Sequence, residues 1–183
     1  AGNMTLSGNI LEGTENLTLE AAQSIEQTKG SAIAKNTKAK AGKDINLAST
    51  INKLQNVTVD AQKGSATIVS ANDADGDLNV TTVGNVANDL TITNLKNGKA
   101  NKIHFNKDLK AGGTISITNE EADIEVANGT TMDAQNISLI AKNNNVNFRG
   151  GTVTAKDTVK AEAKNANVAG GTISAKTVHA EAE

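Results

Sequence analysis

The chain has 183 residues, only two of them aromatic (both Phe); Trp, Tyr, Cys and Pro are absent, and 18 basic against 20 acidic residues leave a net charge of -2. The lack of cysteine excludes a thiol nucleophile, a Cys-ligated zinc and a disulfide framework, while the balanced charge and missing aromatic platforms argue against nucleic-acid binding by counterion release or base stacking. A core without aromatics must be filled by Val, Ile, Leu and Ala, which suits a thin stacked architecture better than a compact ball.

The chain opens AGNMTLSGN, with neither a charged n-region nor an apolar h-region, so it is expected to be a piece of something longer. No apolar run has the length of a membrane span. Short alternation of apolar and polar residues then recurs along the sequence. It is seen in NLTLE at 16–20, DINLA at 44–48, NVTVD at 56–60, DLTIT at 89–93, GTISIT at 113–118 and TVKAEA at 158–163. This is the period-2 signature of strands, and Gly, Asn, Asp and Lys supply the turns between them. The segment 21–43 is the most compatible with helix. Its two glycines and the alternation in SAIAK still predict strand.

A repeat is clearest in the second half. Asn128-Gly129-Thr130, Gly150-Gly151-Thr152 and Gly170-Gly171-Thr172 keep step with their surroundings. Ile124 and Val126 align with Val146 and Phe148, then with Ala166 and Val168. Ile137 and Leu139 align with Val159 and Ala161, then with Val178 and Ala180. Val153 aligns with Ile173, and Ile103, Phe105, Ile115 and Ile117 fall one coil earlier. The last full period reads NANVA, TISA and TVHAEA.

Three short strands per coil of roughly 20–22 residues predict an all-β fold, a right-handed parallel β-helix. The chain is expected to be one β-helix segment, with irregular coils over 1–102 and regular coils over 103–183. The register of the first half is not defined by the sequence alone. A single coil cannot bury enough apolar surface to offset its chain entropy, so stability has to come from stacking. Asn145 and Asn147 align with Asn165 and Asn167, either as amide ladders or as polar residues on an exposed face.

Little of the sequence carries chemistry. His104 and His179 occupy polar slots of alternating strands and read as solvated surface positions, with no nucleophile or orienting acid marked nearby. Asp73, Asp75 and Asp77 alternate in NDADGDLN and form the one candidate metal site, for calcium. Gly76 is not at the sixth position of an EF-hand loop and no Glu closes the loop, so the alternative is a solvated turn. Glu120, Glu121 and Glu125 have no spacing that selects a catalytic carboxyl pair. No cofactor motif is present. Sequons occur at Asn3, Asn16, Asn56, Asn79, Asn128 and Asn136, as expected in a chain rich in Asn and Thr.

Taken together, AGKDINLAS, NVTVDAQKGS, LKAGGTISIT and RGGTVTAKDTVKAEAK resemble the repeats of filamentous haemagglutinin-type proteins, giant bacterial exoproteins exported by two-partner secretion. The resemblance covers nearly the whole chain and is best over 103–183. It implies a monomeric rod, secreted or held on the surface of a Gram-negative bacterium, that serves as the shaft of an adhesin. The implied partners are an outer-membrane secretion protein and a receptor or glycan on host cells or other bacteria. No enzymatic activity is implied. The alternatives are a β-helical polysaccharide-degrading enzyme and the filament of a contact-dependent inhibition toxin. The family's secretion domain carries an Asn-Pro motif, and this proline-free chain is expected to correspond to the repeats only. An ice- or surface-binding solenoid would need flat Thr-X-Thr rows. Thr91/Thr93 and Thr152/Thr154 hint at them, and Lys160/Glu162 interrupt them.

Overall fold

Every alternating segment forms strand. The computed structural model describes residues 2–97, 99–168 and 170–182. Ala1, Gly98, Ala169 (the last residue of the NANVA run) and Glu183 lie outside the described residues. Among the described residues the regular elements are all β-strands, paired in parallel and stacked as a β-solenoid of about eight turns. The helix-compatible stretch holds the strands Ile25–Gln27 and Ala32–Ala41.

One inward column runs from end to end. Met4, Ile25, Ile45, Ala66, Leu90, Ile115, Ile137, Val159 and Val178 are successive register partners. Its interior members are buried, whereas Val178, on the last turn, is half exposed. Several alignments read from the sequence recur as pairings: Ile103 with Ile124, Ile124 with Val146, Val146 with Ala166, and Val153 with Ile173. The Asn128-Gly129-Thr130 alignment shifts by one residue, because Thr131 rather than Thr130 pairs with Thr152 and the left-handed Gly129 corresponds to Gly150. The strand Thr131–Phe148 pairs with Thr152–Val168 in three straight runs, separated by register shifts at Ala134/Asn136 and Ala141/Asn145. Each shift is a corner, so one turn has three faces.

The first half keeps its own sheet. Strands Ile10–Ala21, Ala32–Ala41, Lys53–Ala61 and Asn79–Thr82 stack in that order, placing Leu17, Thr37, Val57 and Val80 over one another. The register that the sequence left open is therefore set by NLTLEA, NTKAKA and NVTVDA, whose alternate small apolar residues all point inward.

Corners are closed in two ways. Gly129, Gly150 and Gly170 have φ of 78°, 86° and 74°, a left-handed conformation that residues with a Cβ rarely adopt. This is the physical basis of the Gly repeat. On another corner, side-chain oxygens hand backbone N–H groups from turn to turn. Asn3 Oδ1 accepts from Ser24 N at 3.2 Å, Ser24 Oγ from Asp44 N at 3.4 Å, and Asp44 Oδ1 from Ser65 N at 2.9 Å. Ser65 Oγ then accepts from Asp89 N at 3.3 Å, and Asp89 Oδ1 from Thr114 N at 2.7 Å. A backbone that leaves the ladder at each corner thus keeps its hydrogen bonds.

The interior is not purely aliphatic. Ser70, Asn94 and Asn119 share one inward column and are buried. Asn94 Nδ2 donates to Asn119 Oδ1 at 3.3 Å and to the Asn101 carbonyl at 2.8 Å. Nearer the amino end, buried Asn52 and Gln27 exchange two amide hydrogen bonds of 2.8 Å. Asn52 also accepts from Ala32 N at 2.7 Å and donates to the Leu47 carbonyl at 3.1 Å.

Candidate functional site

A concavity lies on the outer side of the first-half sheet. It is a groove of about 340 Å³ that crosses successive turns at the corner preceding Leu17, Thr37, Val57 and Val80. The asparagine at that corner repeats as Asn16, Asn36, Asn56 and Asn79, and Asn106 extends the row. Asn36 Nδ2 donates to Asn16 Oδ1 at 3.2 Å, and Asn56 Nδ2 to Asn36 Oδ1 at 3.1 Å. Asn79 Nδ2 instead donates forward to Asn106 Oδ1 at 2.9 Å. The ladder therefore reverses between Asn56 and Asn79. Two residues on in each strand, Thr18, Lys38, Thr58 and Thr81 form a second row along the same groove.

The sequence does not single out this row: an Asn at 16, 36 and 56 heads each alternating strand, but this becomes a signal only once those strands are stacked. The ladder that the sequence offered as one reading of Asn145 and Asn165 does form, with Asn165 Nδ2 donating to Asn145 Oδ1 at 3.0 Å. Asp123 caps it, accepting from both Asn145 N and Nδ2 at 2.9 Å. Asn147 donates to the other Asp123 oxygen at 3.3 Å.

A second cluster centres on Glu125. His104, Glu125, Asn147 and Asn167 share one polar column, one turn apart. Only 9% of the Glu125 side chain is exposed, because three nitrogen-bearing side chains cover it: Lys102 Nζ at 2.8 Å, His104 Nδ1 at 3.2 Å and Arg149 Nη2 at 3.4 Å. Burial pushes its pKa up, but hydrogen bonds from Lys102 and His104 and the charges of Lys102 and Arg149 outweigh that. The carboxyl is left below its ordinary range. His104 thus has an acid partner that the sequence did not mark, while His179 stays well exposed, 3.6 Å from Glu181.

A carboxyl with a depressed pKa adds stability that is present at neutral pH and lost as pH falls through its folded-state pKa. Glu125→Gln should therefore destabilise the protein at pH 7, by an amount that shrinks as pH falls through the carboxylate range. Urea midpoints of both proteins at successively lower pH measure the effect; a gap that does not narrow as pH falls would contradict it.

Asp73, Asp75 and Asp77 do not converge. Asp73 pairs with Lys53 at 2.5 Å and Asp75 with Lys99 at 3.2 Å. Asp77 Oδ1 accepts from Lys102 N at 2.9 Å, the same corner duty that Asp44 and Asp89 perform. The loop itself is held by amides: Asn101 Nδ2 donates to the Ala74 carbonyl at 2.9 Å and Asn101 Oδ1 accepts from Gly76 N at 3.1 Å. Among the described residues, no group of three or more His, Cys, Asp or Glu is placed to hold a metal ion.

Glu120 and Glu121 also have separate partners. Glu120 accepts from Lys96 N at 3.1 Å and from Lys142 at 3.0 Å, and Glu121 pairs with Lys96 at 2.7 Å. The hydrogen bonds from Lys96 N and Lys142 hold the Glu120 carboxyl below its usual range. A glycosidic general acid needs the opposite shift.

No protein-family model, curated protein or solved structure matches this chain.

Proposed function

We propose that this chain is a shaft segment of a bacterial surface or secreted adhesin, which spaces and displays contact regions for host cells or other bacteria. The observation that carries this reading is the unbroken column from Met4 to Val178, in which each turn rests only on its neighbours. Such a stack makes length its main property: about eight turns at ~4.8 Å each extend the segment by roughly 38 Å. Corners closed by side chains and glycines hold successive turns in register, as a stiff spacer requires. On this reading the segment lies outside a Gram-negative cell, having been exported through an outer-membrane secretion partner.

Two measurements test it. Small-angle scattering should give an elongated particle, and beads coated with the segment should attach to cell monolayers or bacterial lawns above uncoated beads. Failure to attach, together with the release of new reducing ends from polysaccharides, would replace it with the cleaving alternative.

A further inference from the structure

The asparagine groove has the features of a ligand site rather than of a shaft. Its lining includes two cations, Lys38 and Lys107, and no carboxylate. Neither lysine forms an ion pair with a described residue, so both charges are open to a ligand. Where the ladder reverses, the Oδ1 atoms of Asn56 and Asn79 accept no hydrogen bond from the described residues, and neither does the Thr58 hydroxyl two residues beyond Asn56. Carboxamides and hydroxyls together offer both donors and acceptors. The groove therefore presents open polar positions at its middle and unpaired positive charge on its wall.

We propose that this groove binds an extended acidic polysaccharide, laid along the solenoid axis. The rungs are ~4.8 Å apart, close to the advance per sugar of an extended β-linked chain, so successive sugars meet equivalent carboxamides. Hydroxyls of the chain pair with the open oxygens of Asn56 and Asn79 and with Thr58. Its carboxylates face Lys38 and Lys107. Without aromatic rings the site has no stacking platform, so recognition is polar and salt-dependent. The proposal goes beyond the shaft role and does not depend on it.

The test is an NMR titration of the isotope-labelled chain with a hyaluronan octasaccharide, using a neutral malto-octaose as comparison. The expected result is that hyaluronan shifts the side-chain amide signals of Asn36, Asn56, Asn79 and Asn106, and that malto-octaose shifts them far less. The paired substitution Lys38→Gln with Lys107→Gln should weaken binding about tenfold, as expected for two exposed charge contacts. All these positions are on the surface, and unchanged backbone signals elsewhere confirm folding. Shifts outside the groove, no shifts at all, equal response to the neutral sugar, or unaltered affinity of the lysine variant would each overturn the proposal. An elongated particle whose coated beads still attach to cells, but whose groove signals do not move, would leave the shaft reading standing and remove this one.

Discussion

Replacing Asn52 with alanine is expected to destabilise the fold by about 2–4 kcal/mol, a large part of the ~5–15 kcal/mol available to a domain. Asn52 is fully buried and serves four hydrogen bonds: two with Gln27, one from Ala32 N and one to the Leu47 carbonyl. Alanine leaves the Ala32 N–H without its acceptor and strips two hydrogen bonds from the Gln27 amide, which keeps only those with the Gly30 carbonyl and Ser49 N; a buried polar group left without its partner costs about 1–3 kcal/mol. Urea unfolding measures the loss as a lower midpoint. Exchange of the Ala32 amide should accelerate with it. Adding Gln27→Leu to Asn52→Leu should recover part of the loss, since both side-chain amides are then gone, but not all, because the Ala32 and Ser49 N–H groups then lack their side-chain acceptors. By contrast, Asn56→Ala on the exposed ladder should stay within about 0.5 kcal/mol. Equal effects at the two asparagines would mean that the buried amide pair does not hold these turns together.

The fold was legible because strand and stack leave separate marks. Alternation gave the strands, and the recurring Gly-Gly-Thr gave the period, since only a left-handed corner needs glycine at each return. What escaped was whatever depends on which turn lies above which. Gln27 and Asn52 fall at unlike points of the alternating pattern, and nothing local announces that they meet. His104 and Glu125 could have been joined by aligning Ile103-His104-Phe105 over Ile124-Glu125-Val126, a pairing that the repeat already contained. The Asp73–Asp77 run resembled a calcium loop for a chemical reason. A corner needs carboxylate oxygens to receive N–H groups from the next turn, and calcium loops use the same oxygens at similar spacing. Sequence spacing does not separate the two duties; in the structure Asp77 receives the Lys102 N–H, while Asp73 and Asp75 pair with Lys53 and Lys99. The Asn16, Asn36 and Asn56 row was hidden differently. In a chain this rich in asparagine, a ladder stands out only once its members are known to share a corner.

Removing residues 145–164 should leave a folded, shorter rod, whereas removing only 145–154 should detach everything beyond the cut. Asn145 pairs with Asn165, so the longer deletion takes out one whole turn and puts Asn165 over Asp123, Ala166 over Ile124 and Val168 over Val126. Each turn contacts only its neighbours, so the loss is one turn and one interface. The denaturant dependence should fall by about an eighth, in proportion to the surface exposed on unfolding. The shorter deletion preserves the in-out alternation but removes the Gly150 corner and displaces Val159 from its place over Ile137 by half a turn. The downstream columns then meet corners instead of apolar partners, and a register error of this kind misplaces every side chain that follows. Hydrogen exchange should show protection up to Ala141 in both proteins, retained beyond the cut only in the whole-turn deletion. Equal protection in the two would mean that the chain beyond the cut holds itself together without stacking, and a solenoid built on vertical register does not permit that.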